Sequence, residues 1–140
     1  MRYFLLVGMF LGWVASGGCS PPSARVWGTV TLNGQPVEAA ELSFLLEGSN
    51  QTVHGKSGAD GRFWLDYPSG SGMPAGKYRI LVSRYTLPNG KPLPSGEKGE
   101  ALRANEERVR KWTVRYEKEL PAGNNTLDLE WNQGQPHQEP

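Results

Sequence analysis

Apolar residues at every second position, broken at short intervals by glycine and proline, constrain this chain more than any other feature. Val26, Gly28, Val30 and Leu32 alternate with Trp27, Thr29 and Thr31, which predicts a strand with one buried and one wetter face. Asn33-Gly34 follows at once, the pair that favours a two-residue hairpin turn, and Pro36 closes it. Leu42, Phe44 and Leu46 define a second strand, and Thr52 to Lys56 a weaker third that ends at Gly58. Phe63, Leu65 and Tyr67 define a fourth, and Tyr78, Ile80 and Val82 a fifth. Two more follow, one through Trp112, Val114 and Tyr116 and one through Leu127, Leu129 and Trp131, joined by the turn "LPAGNN". Strand parity places Trp112 and Trp131 in the core and turns His54 and Trp64 outward.

The connections have the composition of loops. "PSGSGMPAG" separates the fourth and fifth strands, and "TLPNGKPLPSGEKG" runs from 86 to 99. Residues 100 to 111, "EALRANEERVRK", have the makings of a short surface helix within the 86–111 connection, although a dozen mostly polar residues are marginal alone. With 18 glycines and 11 prolines in 140 residues, many turns and short strands are expected rather than long helices. Seven short strands at roughly ten-residue spacing predict an all-β fold, a seven-stranded antiparallel β-sandwich over 25–131. The tail, 132–140, offers no large apolar residue as an anchor and is expected to be frayed or disordered.

Residues 1–18 have a different character. Arg2 supplies a positive charge, Phe4 to Val14 is apolar, and Ala15-Ser16-Gly17-Gly18 is a run of small residues, the layout of a secretory signal peptide. Cys19, the single cysteine, comes next and has no partner for an internal disulfide. "SGGC" resembles the lipobox of bacterial lipoproteins, in which the cysteine becomes the lipid attachment site. Gly18 fits that pattern, and Ser16 departs from its usual aliphatic residue. The resemblance implies an exported protein held to the membrane by a lipid on Cys19, with 19–24 as a lipidated tether and localisation on the periplasmic or outer face of the envelope. An ordinary cleaved signal or a free thiol is the alternative.

Charge and chemistry exclude several classes. Fifteen basic and 14 acidic residues leave a net charge of +1, so no overall field draws the chain to nucleic acid. Asp60 in "GADG" is the only carboxylate between Glu47 and Asp66, too few oxygens for a calcium loop, so it reads as turn chemistry beside Gly61. The two histidines, His54 and His137, belong to no catalytic motif. The residues thus predict no catalytic, metal or cofactor-binding site, and "EERVRK" reads as a solvated charged face.

Three motifs stand in order: "VWGTVTLNGQPVEAAELSFL", "GKSGADGRFWL" and "MPAGKYRILVS". With Gly28-Thr29-Val30, Gly34, Pro36, Asp60-Gly61-Arg62-Phe63, Ala75-Gly76-Lys77-Tyr78 and the closing "ELPAGNNTLDLEW", the chain resembles the carboxypeptidase regulatory-like domain, of the transthyretin-like or prealbumin-like class. It is similar in particular to small predicted lipoproteins of that type in planctomycete bacteria. Ala39-Ala40 stands where Gly-Ala is common, a change read as harmless. The resemblance implies an extracytoplasmic accessory module and no reaction. The "Y-R-G-S" ending of transthyretin-fold hydrolases is missing, as is the first-strand lysine that self-made isopeptide bonds require. In transthyretin-like folds the first and fourth strands share a sheet, which would bring Trp27 and Trp64 together as a candidate binding surface for an envelope protein or a glycan. Cross-strand packing alone, or cover by the 86–111 segment, is the alternative. The expected function is a non-enzymatic, lipid-anchored envelope module with a structural or protein-interaction role; the alternative is a carbohydrate-binding accessory domain using these tryptophans.

Overall fold

A computed structural model describes residues 23–67 and 72–136; the expected signal peptide at 1–18, Cys19 and His137 lie outside them. Seven strands of five or more residues carry the fold: β1 (Ser23–Leu32), β3 (Glu41–Leu46), β4 (Thr52–Ser57), β5 (Arg62–Asp66), β7 (Gly76–Thr86), β8 (Arg110–Leu120) and β9 (Gly123–Glu130). Three two-residue segments, β2 (Gln35–Pro36), β6 (Met73–Pro74) and β10 (Gln135–Pro136), extend the ladder. The strands join in the order β10-β8-β7-β3-β4-β5-β1-β2, with β6 and β9 also on β1. This one sheet curls over a single core, and the all-β, sandwich-like class expected from the alternation is what the chain forms.

One pairing departs from the antiparallel expectation. β9 runs parallel to β1 in register from Ala24↔Gly123 to Thr31↔Glu130, whereas β5 lies antiparallel on the other side of β1. β8 and β9 are consecutive, yet each pairs elsewhere, β8 with β7 and β9 with β1. The chain therefore crosses at Pro121-Ala122 from one limb of the curled sheet to the other.

Local chemistry sets the turns. Asn33 and Gly34 both take positive φ, 52° and 79°, the two-residue geometry whose twist suits a hairpin, and Leu32 pairs with Gln35 across it. The inward positions of β1, β3, β5 and β7 then meet in the core. Phe44 packs against Phe63 at 6.3 Å and against Tyr78 at 6.4 Å between ring centroids, all three rings buried. Tyr67 and Ser57 satisfy their polar atoms on the core's margin: the Tyr67 hydroxyl accepts from Val26 N at 2.6 Å and donates to Val26 O at 3.1 Å. Buried Ser57 accepts from Ala40 N and donates to Val37 O.

Several sequence expectations need correction. The strand starts at Ser23 with Ala24 fully buried, so the fold begins inside the 19–24 tether. The helix α1 (Glu97–Arg103) lies earlier than 100–111, and a 3-10 turn (Glu106–Arg108) and β8 take over the rest. Ladder pairing with β7 reaches from Thr86↔Arg110 to Gly76↔Leu120, and that long register overrides the marginal helical tendency of "RVRK". Gly96, at φ 76°, opens α1, whose Gly99 fits so closely that a Cβ there would lie 2.1 Å from Pro94 O.

Trp131 is buried, but in a 3-10 turn after β9 rather than within a strand. Trp112 is not core: it remains 43% exposed, although it shares the parity of buried Val114. Parity decides a side of the sheet and not a depth. At this end of β8 the residue across the ladder is Arg84, where an apolar partner would be needed to close the core. The tail is also tied down as far as Pro136, because Gln135 and Pro136 pair with Arg115 and Val114. Gly134 makes the approach possible, since a Cβ there would sit 2.7 Å from that of Val114. Backbone pairing and a glycine thus replace the large apolar anchor.

Candidate functional site

The register of β1 and β5 sets Trp27 directly opposite Trp64, and Thr29 opposite Arg62. Phe63 and Leu65 go into the core, so the residues between them must point out; the same holds for Trp27 between Val26 and Gly28. Side chains opposed in this way lie about 4.5–5.5 Å apart at Cβ, close enough for the two indoles to form one surface. Trp27 is 41% exposed and Trp64 65% exposed. The expectation that the fold brings the two tryptophans together holds.

Polar groups surround the pair. On β9, Thr126 lies opposite Trp27 and Asp128 opposite Thr29, whose hydroxyl donates to Asp128 Oδ1 at 2.8 Å. On β4, Lys56 lies opposite Trp64 and reaches Glu100 of α1 at 2.9 Å. Trp27, Thr29, Arg62, Trp64, Thr126 and Asp128 line one surface depression. The 86–111 segment docks beside this face, through Glu100 on Lys56 and through the Ser95 hydroxyl on Glu38 at 2.7 Å, and leaves Trp64 uncovered. Chemically, the face offers flat apolar rings next to hydroxyl, carboxylate and guanidinium groups.

Asp60 is committed to its turn. Its Oδ1 accepts from Arg62 N at 3.0 Å, and Gly61 N donates to Gly58 O at 3.0 Å. Gly61, at φ 78°, seats the turn on β1, since its carbonyl accepts from Val30 N at 2.8 Å. Among the described residues no group of three or more His, Cys, Asp or Glu side chains is placed to hold a metal ion.

Two arrangements escaped sequence reasoning. Ser43, His54 and Asp66 form a row across β3, β4 and β5, with Ser43 Oγ 3.2 Å from His54 Nδ1. In a hydrolytic triad the acid holds Nδ1 and the serine faces Nε2. Here the serine takes Nδ1, and the row lies on an open sheet face, so the geometry is that of a surface hydrogen bond. The second is Arg84, which continues the inward parity of Tyr78, Ile80 and Val82 on β7. A charged residue prolonging an apolar alternation is the signal that would have found it. Its guanidinium carbon lies 4.8 Å from the Trp131 ring centroid and 6.0 Å from that of Trp112.

One carboxyl and one phenol are perturbed near the end of β9. Hydrogen bonds from the Thr31 hydroxyl and from Asn33 N hold the Glu130 carboxyl below the usual carboxylate range. Burial, and then the nearby Glu130 charge, push the Tyr116 phenol up to about 12. The Glu130 carboxyl fastens the β1–β2 hairpin to the end of β9, and the Tyr116 hydroxyl ties β8 to the same end through Glu130 O.

No family model and no curated protein matches the chain. Among solved structures it is similar to a DUF3823 family protein from Parabacteroides merdae, with 18% sequence identity and a TM-score of 0.46. The similarity covers 84% of this chain and 48% of that one, so this chain spans about half the length of that protein.

Proposed function

We propose that this chain is a non-enzymatic β-sandwich module of the carboxypeptidase regulatory-like, transthyretin-like kind, exported and attached to the cell envelope by a lipid on Cys19. It acts by contact, through the face around Trp27 and Trp64. The observation behind this reading is the cross-strand pairing of two tryptophans that stay 41% and 65% exposed on one face. Large aromatic side chains grouped on an open surface have the composition of an interface centre. The ordered family motifs support the module type, and the leader with its small residues before Cys19 supports the anchor.

The position of the first strand adds a length. Only residues 20–22 separate Cys19 from Ser23. Three residues, two of them proline, reach roughly 10 Å, so a lipid on Cys19 would hold the start of β1 at the membrane surface. Any partner is then met close to the bilayer.

The polar ring around the indoles favours one second reading, a carbohydrate-binding accessory domain. Thr29, Arg62 and Asp128 supply donors and acceptors for sugar hydroxyls beside rings on which a pyranose can lie.

Metabolic labelling with a palmitate analogue tests the anchor: label is expected in the wild type and lost in Cys19→Ala, and equal labelling of both overturns it. A photo-crosslinking residue at Arg62 of the lipidated protein is expected to capture a defined envelope protein. Saturable quenching of tryptophan fluorescence by envelope glycans, abolished in Trp64→Ala, would move the assignment to the carbohydrate reading. Neither adduct nor quenching removes both.

A further inference from the structure

The inward parity of β7 carries a positive charge toward the interior. Arg84 Nε is buried and has no hydrogen-bond partner, and among the described residues no carboxylate pairs with this guanidinium. Burial lowers its pKa, as desolvation does for any cation. The Trp131 and Trp112 rings hold the group in place without satisfying its Nε–H. The same side chain lines a cleft of about 340 Å³ between the β1–β2 hairpin and the loop before α1. Its walls are polar and apolar in equal measure, the apolar part including Leu32, Pro36, Val37, Pro92 and Leu93.

The remaining charges at the cleft are already engaged. Arg103 pairs with Glu100 at 3.1 Å, and Glu38 accepts the Ser95 hydroxyl at 2.7 Å. Arg84 is therefore the cation at the cleft left without a carboxylate partner, and Glu38 would repel a second negative charge. The volume is at the lower end of the range for small-molecule pockets.

We propose that this cleft binds an organic monocarboxylate with a small apolar body, its carboxylate taking charge-assisted hydrogen bonds from Arg84 and its body lying against Leu32, Val37 and Leu93. The apolar part of the wall favours a ligand with an apolar body over an inorganic anion, which gains nothing from that surface in return for its lost hydration. The site is separate from the tryptophan face and does not depend on it.

The test is an NMR titration of the full mature chain, following the Arg84 Nε–H and the indole N–H groups of Trp112 and Trp131. The probes are hexanoate and benzoate, compared with hexanamide, benzamide and inorganic phosphate. Saturable shifts are expected with the carboxylates, at least about tenfold tighter than with the amides or phosphate. Arg84→Met is expected to abolish them. Ala59→Trp, an exposed position on the cleft wall, is expected to block binding without changing the melting temperature. If Arg84→Met does not fold, Ala59→Trp decides: lost binding supports the site and retained binding overturns it. Equal binding of acids and amides, or no saturable shift in the wild type, also overturns it.

Discussion

Ala39 holds φ at 57°, a left-handed conformation that costs a residue with a Cβ about 1–2 kcal/mol. It is the alanine that stands where the resembling family commonly has glycine, and the structure corrects the view that the change is harmless. The backbone here is pinned, because Ala39 N donates to Ser57 O and Ala40 N to Ser57 Oγ, so the turn cannot relax to a negative φ. Glycine would remove the steric cost but add roughly 0.5–1 kcal/mol of unfolded-state entropy. Ala39→Gly is therefore expected to stabilise by about 0.5–1 kcal/mol, seen as a higher urea midpoint at unchanged slope; a lower midpoint counts against the strain. Tyr116 makes a second residue-scale case. Its hydroxyl donates to Glu130 O at 2.6 Å, and its pKa is pushed up to about 12 by burial and by the Glu130 charge. The folded phenol keeps its proton more tightly than the unfolded one, whose pKa is about 10. Its contribution is thus complete below about pH 10 and is lost as pH rises through 12. Denaturant melts between those values should show a steep decline in the wild type that flattens in Tyr116→Phe, and an identical decline in both would exclude this phenol as its source. Tyr116 was legible as an inward strand residue; its partner was not, because Glu130 lies on a strand that β8 does not pair with.

At the scale of elements, β1 is the strand on which the rest of the fold is assembled, with β5 on one side and β9 on the other. Its inward Gly28 permits this arrangement: a Cβ there would lie 1.6 Å from Leu127 O, on the backbone of β9. No rotamer change relieves a clash with backbone, so Gly28→Ala must displace β9 along a ladder of eight residue pairs from Ala24 to Thr31. We expect a loss of about 3 kcal/mol or more, or failure to fold, measured by urea denaturation; a midpoint within a few tenths of a molar of wild type would refute the close approach. The G-x-V alternation located this glycine on the inward face. Its reason lay in a parallel partner a hundred residues away, and parallel pairing between distant segments leaves no turn or spacing signature in the chain. The hairpins, by contrast, were readable, since Asn33-Gly34 and Gly58 to Gly61 encode their own φ angles. α1 was placed a few residues late because the competing β7–β8 ladder, and not local propensity, decides where residues 104–111 go.

The whole molecule puts its two candidate surfaces in different places: the tryptophan pair on the outer face of β1 and β5, and the Arg84 cleft at the open end of the curled sheet. One strand period accounts for both, since outward parity exposes Trp27 and Trp64, whereas inward parity carries Arg84 past the last apolar layer. Alternation, turn residues and composition by themselves determined the all-β class, seven main strands, the core face of most of them, and the outward direction of Trp27 and Trp64. These are local properties, set by the two-residue repeat of a strand and by the φ angles that Asn and Gly accept. Tertiary structure alone decided that Trp27 faces Trp64, that β9 lies parallel to β1, that Trp112 reaches solvent and that Arg84 meets a cleft. Each of these depends on which distant strand is the neighbour and on how far the core extends along it, and a periodic pattern carries neither partner nor depth.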